Sequence, residues 1–155
     1  TFSWSDPLAT ASAVRGLSGL EAIRMVAAGE LPPPPIAELL GMSITVVEHG
    51  HVVFSLEPAE WMYNPIGSVH GGVAATLLDS SLGCAIHTTL AAGQRYTTSD
   101  LQVRYVRALS ADSGRVLADS HVVHVGRKLA TAEGRLYAEQ GGKLFAHATT
   151  SCLIL

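Results

Sequence analysis

The chain has 155 residues, 48% of them apolar and only 15% charged, with a formal net charge of −3. One domain with a sizeable core is the expectation at this length, and the generous apolar share suggests surface covered between subunits, because permanent interfaces resemble a domain core cut in half. The charge balance excludes the basic stripe that nucleic-acid binding requires, two cysteines (Cys84 and Cys152) make no disulfide framework, and no apolar run reaches the roughly 18 residues of a membrane span.

In chain order, Thr1 to Pro7 lacks a basic stretch leading into an apolar one. No signal peptide is therefore expected, and the cytoplasm is the default location. Residues 1–16 read as polar and irregular. Leu17, Leu20, Ile23, Val26 and Ala27 then recur at helical spacing, which predicts a short helix over residues 18–28 with Ser18 as N-cap and Gly29 as stop. Pro32 to Pro35 follow. A proline run suits neither a helix nor a central strand, so it predicts a stiff extended spacer that drapes the N-terminal helix over the domain. Ile36 to Leu40 read as one further turn.

From Met42 the period changes to two. Residues 43–48 and 52–57 read as strands joined at His49-Gly50-His51, a hairpin. Trp61 to Val69 is loop, broken by Pro65 and Gly67. Residues 72–89 form the longest helical pattern: Val73, Ala74, Leu77, Leu78, Leu82, Ala85 and Ile86 leave Asp79 as its only charge. A helix apolar nearly all round is buried nearly all round. Strand patterns follow over residues 96–107, 114–125, 130–140 and 143–153, the last two joined at Gly141-Gly142. One buried helix and about six antiparallel strands make an α+β domain, with the sheet curled around the helix.

Two features call for chemistry. A lone carboxylate in the middle of an apolar helix needs a reason. Asp79 is either a base or nucleophile, or a structural carboxylate bonded to Ser80, Thr76 or nearby backbone. At the start of the same helix, His70-Gly71-Gly72 presents unpaired N–H groups and a partial positive charge, and glycine lets a carbonyl approach that backbone. The plainer reading is a turn that needs glycine. Gly71 and Asp79 are eight residues apart, about 12 Å along one helix, whereas attack on a carbonyl requires about 3–3.5 Å. One copy of the helix cannot easily supply both groups. Two antiparallel copies can, so a site using both requires a two-fold dimer.

The stretch from Asn64 through His70-Gly71-Gly72 to Asp79 resembles the signature of the PaaI-like (phenylacetate-degradation type) hotdog thioesterases. The similarity continues through Tyr96 to Tyr105, Val125 to Lys128 and Ala146 to Cys152. It implies a hotdog domain over residues 36–155, with residues 1–35 as a helical extension and linker of the kind some members carry. It also implies hydrolysis of an acyl-CoA thioester. Asp79 matches the carboxylate that acts as nucleophile or general base, and Gly71 the residue whose N–H polarises the thioester carbonyl. His70 and Asn64 match residues that orient the thioester or the water, with Gly72 beside them. The hydroxyl that supports the carboxylate falls best on Thr98, with Thr97 and Ser99 as rivals. Members form dimers, often paired into tetramers, with the site between two central helices.

Arg127 and Lys128 are the best candidates to meet coenzyme A phosphates, ahead of Arg104 and Arg107; surface charges are the alternative. No metal and no resident cofactor are expected, and coenzyme A enters with the substrate. His49 and His51 sit across Gly50 in a turn and could bind a metal only with further ligands, and His121 and His124, three apart in a strand, are placed on opposite faces. His87, two turns beyond Asp79, either lines an acyl pocket or packs near the helix end, and Trp61, Met62 and Tyr63 either wall that pocket or pack. Two other activities fit the same fold. A hotdog hydratase or dehydratase would place its carboxylate and histidine in motifs absent here. A non-catalytic acyl-CoA-binding regulator would add a basic helix pair, which Arg15 and Arg24 do not supply.

Overall fold

The computed structural model describes residues 1–155. Its elements run α1 (Pro7–Ala13), α2 (Gly19–Ala27), α3 (Pro35–Leu40), β1 (Ser43–Glu48), β2 (His51–Leu56), α4 (Gly71–His87), β3 (Tyr96–Tyr105), β4 (Val116–Val125), β5 (Leu129–Ala138) and β6 (Leu144–Ile154). The six strands form one antiparallel sheet in the order β1-β2-β4-β5-β6-β3. Helix α4 lies across it in contact with β2 to β6, which is the hotdog arrangement of a curved sheet around one helix.

Why the helix sits so close to the sheet is visible in the residue sizes. Leu77, Leu78, Leu82 and Ile86 are buried completely or almost so, against Ala118, Ala130, Ala132 and Leu136 from β4 and β5. Small residues on the strands leave room for leucines on the helix, and each leucine so buried contributes about 1.5–3 kcal/mol. Gly134 on β5 is part of the same economy of space: a Cβ there would stand 2.3 Å from Ser120 Oγ. That hydroxyl bonds Ser81 Oγ of α4 at 2.7 Å, so the polar groups that cross the core satisfy one another.

Helix α2 begins where the sequence places it. Ser18 Oγ accepts from Glu21 N, and Glu21 Oε2 accepts in return from Ser18 N at 2.9 Å. The backbone then passes so close to the end of α4 that a Cβ on Gly19 would overlap the His87 carbonyl, and Gly19 N donates to Leu90 O at 3.0 Å.

Two expectations need correction. Residues 1–16 are not irregular throughout: α1 spans Pro7–Ala13, with Asp6 Oδ1 accepting from Leu8 N at 2.9 Å. The helix buries no residue, so no apolar stripe marked it; its signal was the Asp-Pro cap alone. The proline run is not wholly extended either. Pro35 opens α3, because the first helical position needs no N–H donor.

Candidate active site

The loop before α4 is organised by Asn64. Its Oδ1 accepts from Ile66 N at 3.0 Å and Ser68 N at 3.3 Å, and its Nδ2 donates to Ser68 Oγ at 3.2 Å. Tyr63 and Val69 close the loop as an antiparallel bridge. The chain thus enters α4 at His70, the N-cap, whose Nδ1 accepts from Gly72 N at 2.9 Å. An accepting Nδ1 carries no proton, so the neutral ring carries its proton on Nε2, on an exposed side chain free to donate.

Val73 N donates to His70 O at 2.9 Å. The Gly71 N–H, between His70 N, which donates to Met62 O at 2.8 Å, and Gly72 N, is left without an acceptor in the chain. A sequence reading did not anticipate Tyr105, whose hydroxyl donates to Gly71 O at 2.7 Å from the far end of β3. This contact fixes the peptide that follows the free N–H. Asn64, His70, Gly71, Tyr105 and Arg107 line one cavity of about 330 Å³.

Asp79 stands two turns further on and is half-buried. Its Oδ1 accepts from Thr98 Oγ1 on β3 at 3.0 Å, and no other protein group bonds the carboxylate. Of the alternative partners, Thr76 Oγ1 donates to Gly72 O at 2.8 Å, and Ser80 lines the same cavity as Asp79 without bonding it. Of the three candidate hydroxyls, Thr98 points inward. Thr97 is exposed and Ser99 Oγ donates to Ser151 O at 3.1 Å. Losing a hydrogen bond to a charged group costs about 1.5–3 kcal/mol. Thr98→Val, which keeps the β-branched shape, should therefore lower turnover roughly 10- to 100-fold, and Thr98→Ser should restore most of it; equal activity in the valine variant would show the bond to be idle.

Asp79 and Thr98 line a second cavity of about 560 Å³ between α4, β1, β2 and the N-terminal extension. Its walls include Ile23, Val26 and Leu31 from the extension, and Cys84, His87 and Tyr96 from the body of the domain. Burial, reinforced by the charge of Asp79, pushes the Cys84 thiol up to about 12. Burial also lowers the His87 pKa and raises that of Tyr96 well above its ordinary value. All three are therefore neutral near pH 7. His87 both lines this cavity and packs, tilted, on Tyr96 with ring centroids 5.3 Å apart.

The two cavities share no residue. Gly71 and Asp79 open into different spaces within one chain, as the spacing along α4 requires. Other candidates lie apart from both. Arg127 and Lys128 are exposed at the β4–β5 turn. Leu129, next to them, pairs with Leu153 on β6, which pairs with Thr97 on β3; two strand spacings, about 10 Å, separate that turn from the Thr98 end of β3. Trp61 is 63% exposed and walls neither cavity. Met62 is core, and Tyr63 OH accepts from Ala111 N at 2.9 Å. His51 does find further metal-type ligands, Asp119 and His121, on the opposite face of the sheet.

Residues 66–145 match the family model described as the thioesterase superfamily. Among curated proteins, one of Halobacterium salinarum named as a presumed esterase is 33% identical over 103 residues, 63% of this chain and 66% of that one. The 1,4-dihydroxy-2-naphthoyl-CoA hydrolase of Listeria monocytogenes is 26% identical over 92 residues, 59% of this chain and 73% of that protein. Among solved structures, a phenylacetic acid degradation-related protein of Ralstonia eutropha superposes with a TM-score of 0.75 at 29% identity, covering 84% of this chain and 97% of its own. The Escherichia coli PaaI protein shares the fold at a TM-score of 0.76 and 22% identity, over 90% and 96% of the two chains.

Proposed function

This chain belongs to the thioesterase superfamily, in its PaaI-like hotdog group, and on that premise we propose that it hydrolyses acyl-CoA thioesters to the free acid and coenzyme A. The observation that carries this reading is the Asp79 carboxylate, held by one hydroxyl and otherwise unengaged, on the wall of a largely apolar cavity.

The site is completed by a second copy. Strand β3 is a ten-residue sheet edge with no neighbour on its outer side, and such edges seek a partner. Two-fold pairing there brings the start of one α4 toward the middle of the other. The thioester carbonyl then rests on the Gly71 N–H of one subunit, with the His70 Nε2–H as a second donor in reach. These donors stabilise the negative charge that develops on that oxygen. Asp79 of the partner approaches the carbon from the other side. It either attacks directly, giving a mixed anhydride that water opens, or removes a proton from the attacking water. In both routes a C–O bond forms, the C–S bond breaks, and coenzyme A leaves with a proton as its thiol. No metal or cofactor is invoked.

The acyl group enters the cavity beside Asp79. With Cys84, His87 and Tyr96 neutral, that carboxylate is the one charge on the cavity wall. An uncharged acyl or aryl group is therefore the matching substrate, and a dicarboxylic acyl tail would be repelled and poorly solvated. Arg127 and Lys128 are assigned to the coenzyme A phosphates. Thiol release across short, medium, long, aryl and dicarboxylic acyl-CoAs tests the proposal. At least one uncharged class should turn over well, and succinyl-CoA roughly 5-fold less well or worse, since a like-charge contact at about 4 Å costs about 1 kcal/mol in water and about 4 kcal/mol near a protein surface. Absence of thiol release from every class would refute the activity; a preference for succinyl-CoA would refute the cavity assignment.

A further inference from the structure

The face of the sheet turned away from α4 carries a second constellation. His51 on β2 is paired directly with His121 on β4, and Asp119 lies two residues along β4 on the same face. Asp119 Oδ1 stands 2.8 Å from His51 Nε2 and 3.2 Å from His121 Nε2. The two imidazoles are stacked almost parallel, with centroids 3.9 Å apart and an angle of 9° between planes. His51 Nδ1 faces Glu48 Oε2 at 3.3 Å, and Tyr137 OH donates to Asp119 Oδ2 at 3.0 Å.

Two imidazole Nε2 atoms and one carboxylate oxygen gather at one spot on this face, and a ring nitrogen without a proton offers a lone pair that a cation accepts. We propose that His51 Nε2, His121 Nε2 and Asp119 Oδ1 bind a divalent transition-metal ion of the zinc type.

Ligand atoms about 2.0–2.2 Å from a tetrahedral ion stand about 3.3–3.6 Å apart, so an ion seated among the three would draw Asp119 Oδ1 back from its separations of 2.8 and 3.2 Å and turn the two stacked rings toward one point. The surrounding groups do what supporting partners of a metal site do. Glu48 accepts the His51 Nδ1–H and so fixes the tautomer that points Nε2 at the ion. Tyr137 occupies Oδ2 and leaves Oδ1 for the ion. Two imidazoles and one carboxylate with an open fourth position favour Zn²⁺, Ni²⁺ or Cu²⁺ over Mg²⁺ or Ca²⁺, which select oxygen. Such an ion ties the β1–β2 hairpin to the centre of the sheet. It lies on the face opposite the thioester site and takes no part in it. The sequence asks for further ligands before His51 can bind a metal, and strand pairing brings Asp119 and His121 to it from about 70 residues along the chain.

The test uses the full chain and Zn²⁺ itself. Metal-free protein titrated with Zn²⁺ against a chromophoric chelator should take up about one ion per chain, with a rise in melting temperature on binding. His121→Ala, at an exposed position, should weaken uptake by more than the roughly 10- to 100-fold typical of losing a supporting partner and abolish the rise. Tyr137→Phe should weaken it within that range, and His124→Ala should leave it unchanged. Thiol release by the His121→Ala variant should match the unaltered protein. Equal Zn²⁺ uptake by the parent and by a His51→Ala/His121→Ala double variant would overturn the proposal, as would no uptake by the parent. Neither result bears on the thioesterase reading, which thiol release tests separately.

Discussion

Asp79→Asn should lower kcat by about 10²- to 10⁴-fold, the range supplied by a positioned acid or base, while KM and the melting temperature change little. The asparagine keeps the shape of the carboxylate and can still accept from Thr98 Oγ1, which bonds Asp79 Oδ1 at 3.0 Å. What it loses is the negative charge and the ability to take a proton or attack a carbon. If the loss falls on kcat and kcat/KM alike, the carboxylate acts in the transition state. Near-normal turnover in folded Asp79→Asn protein would leave the proposed mechanism without its central group. A single turnover in ¹⁸O water separates the two routes, since label found in the Asp79 carboxylate marks the anhydride path.

Gly71→Pro tests the other half of the site by deleting its free N–H. Gly71 is the first residue of α4, a position where proline is well tolerated, and His70 before it has φ −57° and ψ 132°, the extended region that a residue before proline prefers. The substitution deletes the free N–H and preserves the helix. The added ring carbons meet the Tyr105 hydroxyl, 3.1 Å from a Cβ at this position, which can shift by a few tenths of an ångström. Removal of one oxyanion donor costs about 10²- to 10³-fold in kcat, and that is the expected loss. A variant that folds and turns over normally would assign the carbonyl to other donors.

Much of this site lies open in the linear pattern because it is local. The Asn64 loop, the His-Gly-Gly entry to α4 and the isolated Asp79 fall within sixteen consecutive residues, and the apolar run around Asp79 fixes the helix whatever surrounds it. The curved sheet is legible for the same reason, since each strand alternates and the turns carry glycine. Contacts across the sheet are not. Counting favours Thr98 but leaves Thr97 and Ser99 as rivals, because the pairing of β3 with β6 shifts between Thr98 and Asp100 and resets which residues face inward. Tyr105 reaches Gly71 across 34 residues, and the His51–Asp119–His121 cluster exists only through the register of β2 with β4. The extension illustrates a different limit. Its apolar spacing predicts α2 but not what α2 covers; Ile23 and Val26 close the cavity beside Asp79, a role decided by packing against β1 and α4.

If each site joins the Gly71 N–H of one chain to the Asp79 of another, subunit mixing restores activity. Gly71→Pro and Asp79→Asn chains are each nearly inactive alone. When they are co-expressed with different tags, half of the dimers pair one chain of each kind. In such a dimer one site carries both changes and the other carries neither. The purified mixture should recover about a quarter of the unaltered activity, since one of two sites is intact in half of the dimers. Mixed dimers that form but remain as inactive as their parents would show that Gly71 and Asp79 serve a site within one chain, contrary to this account.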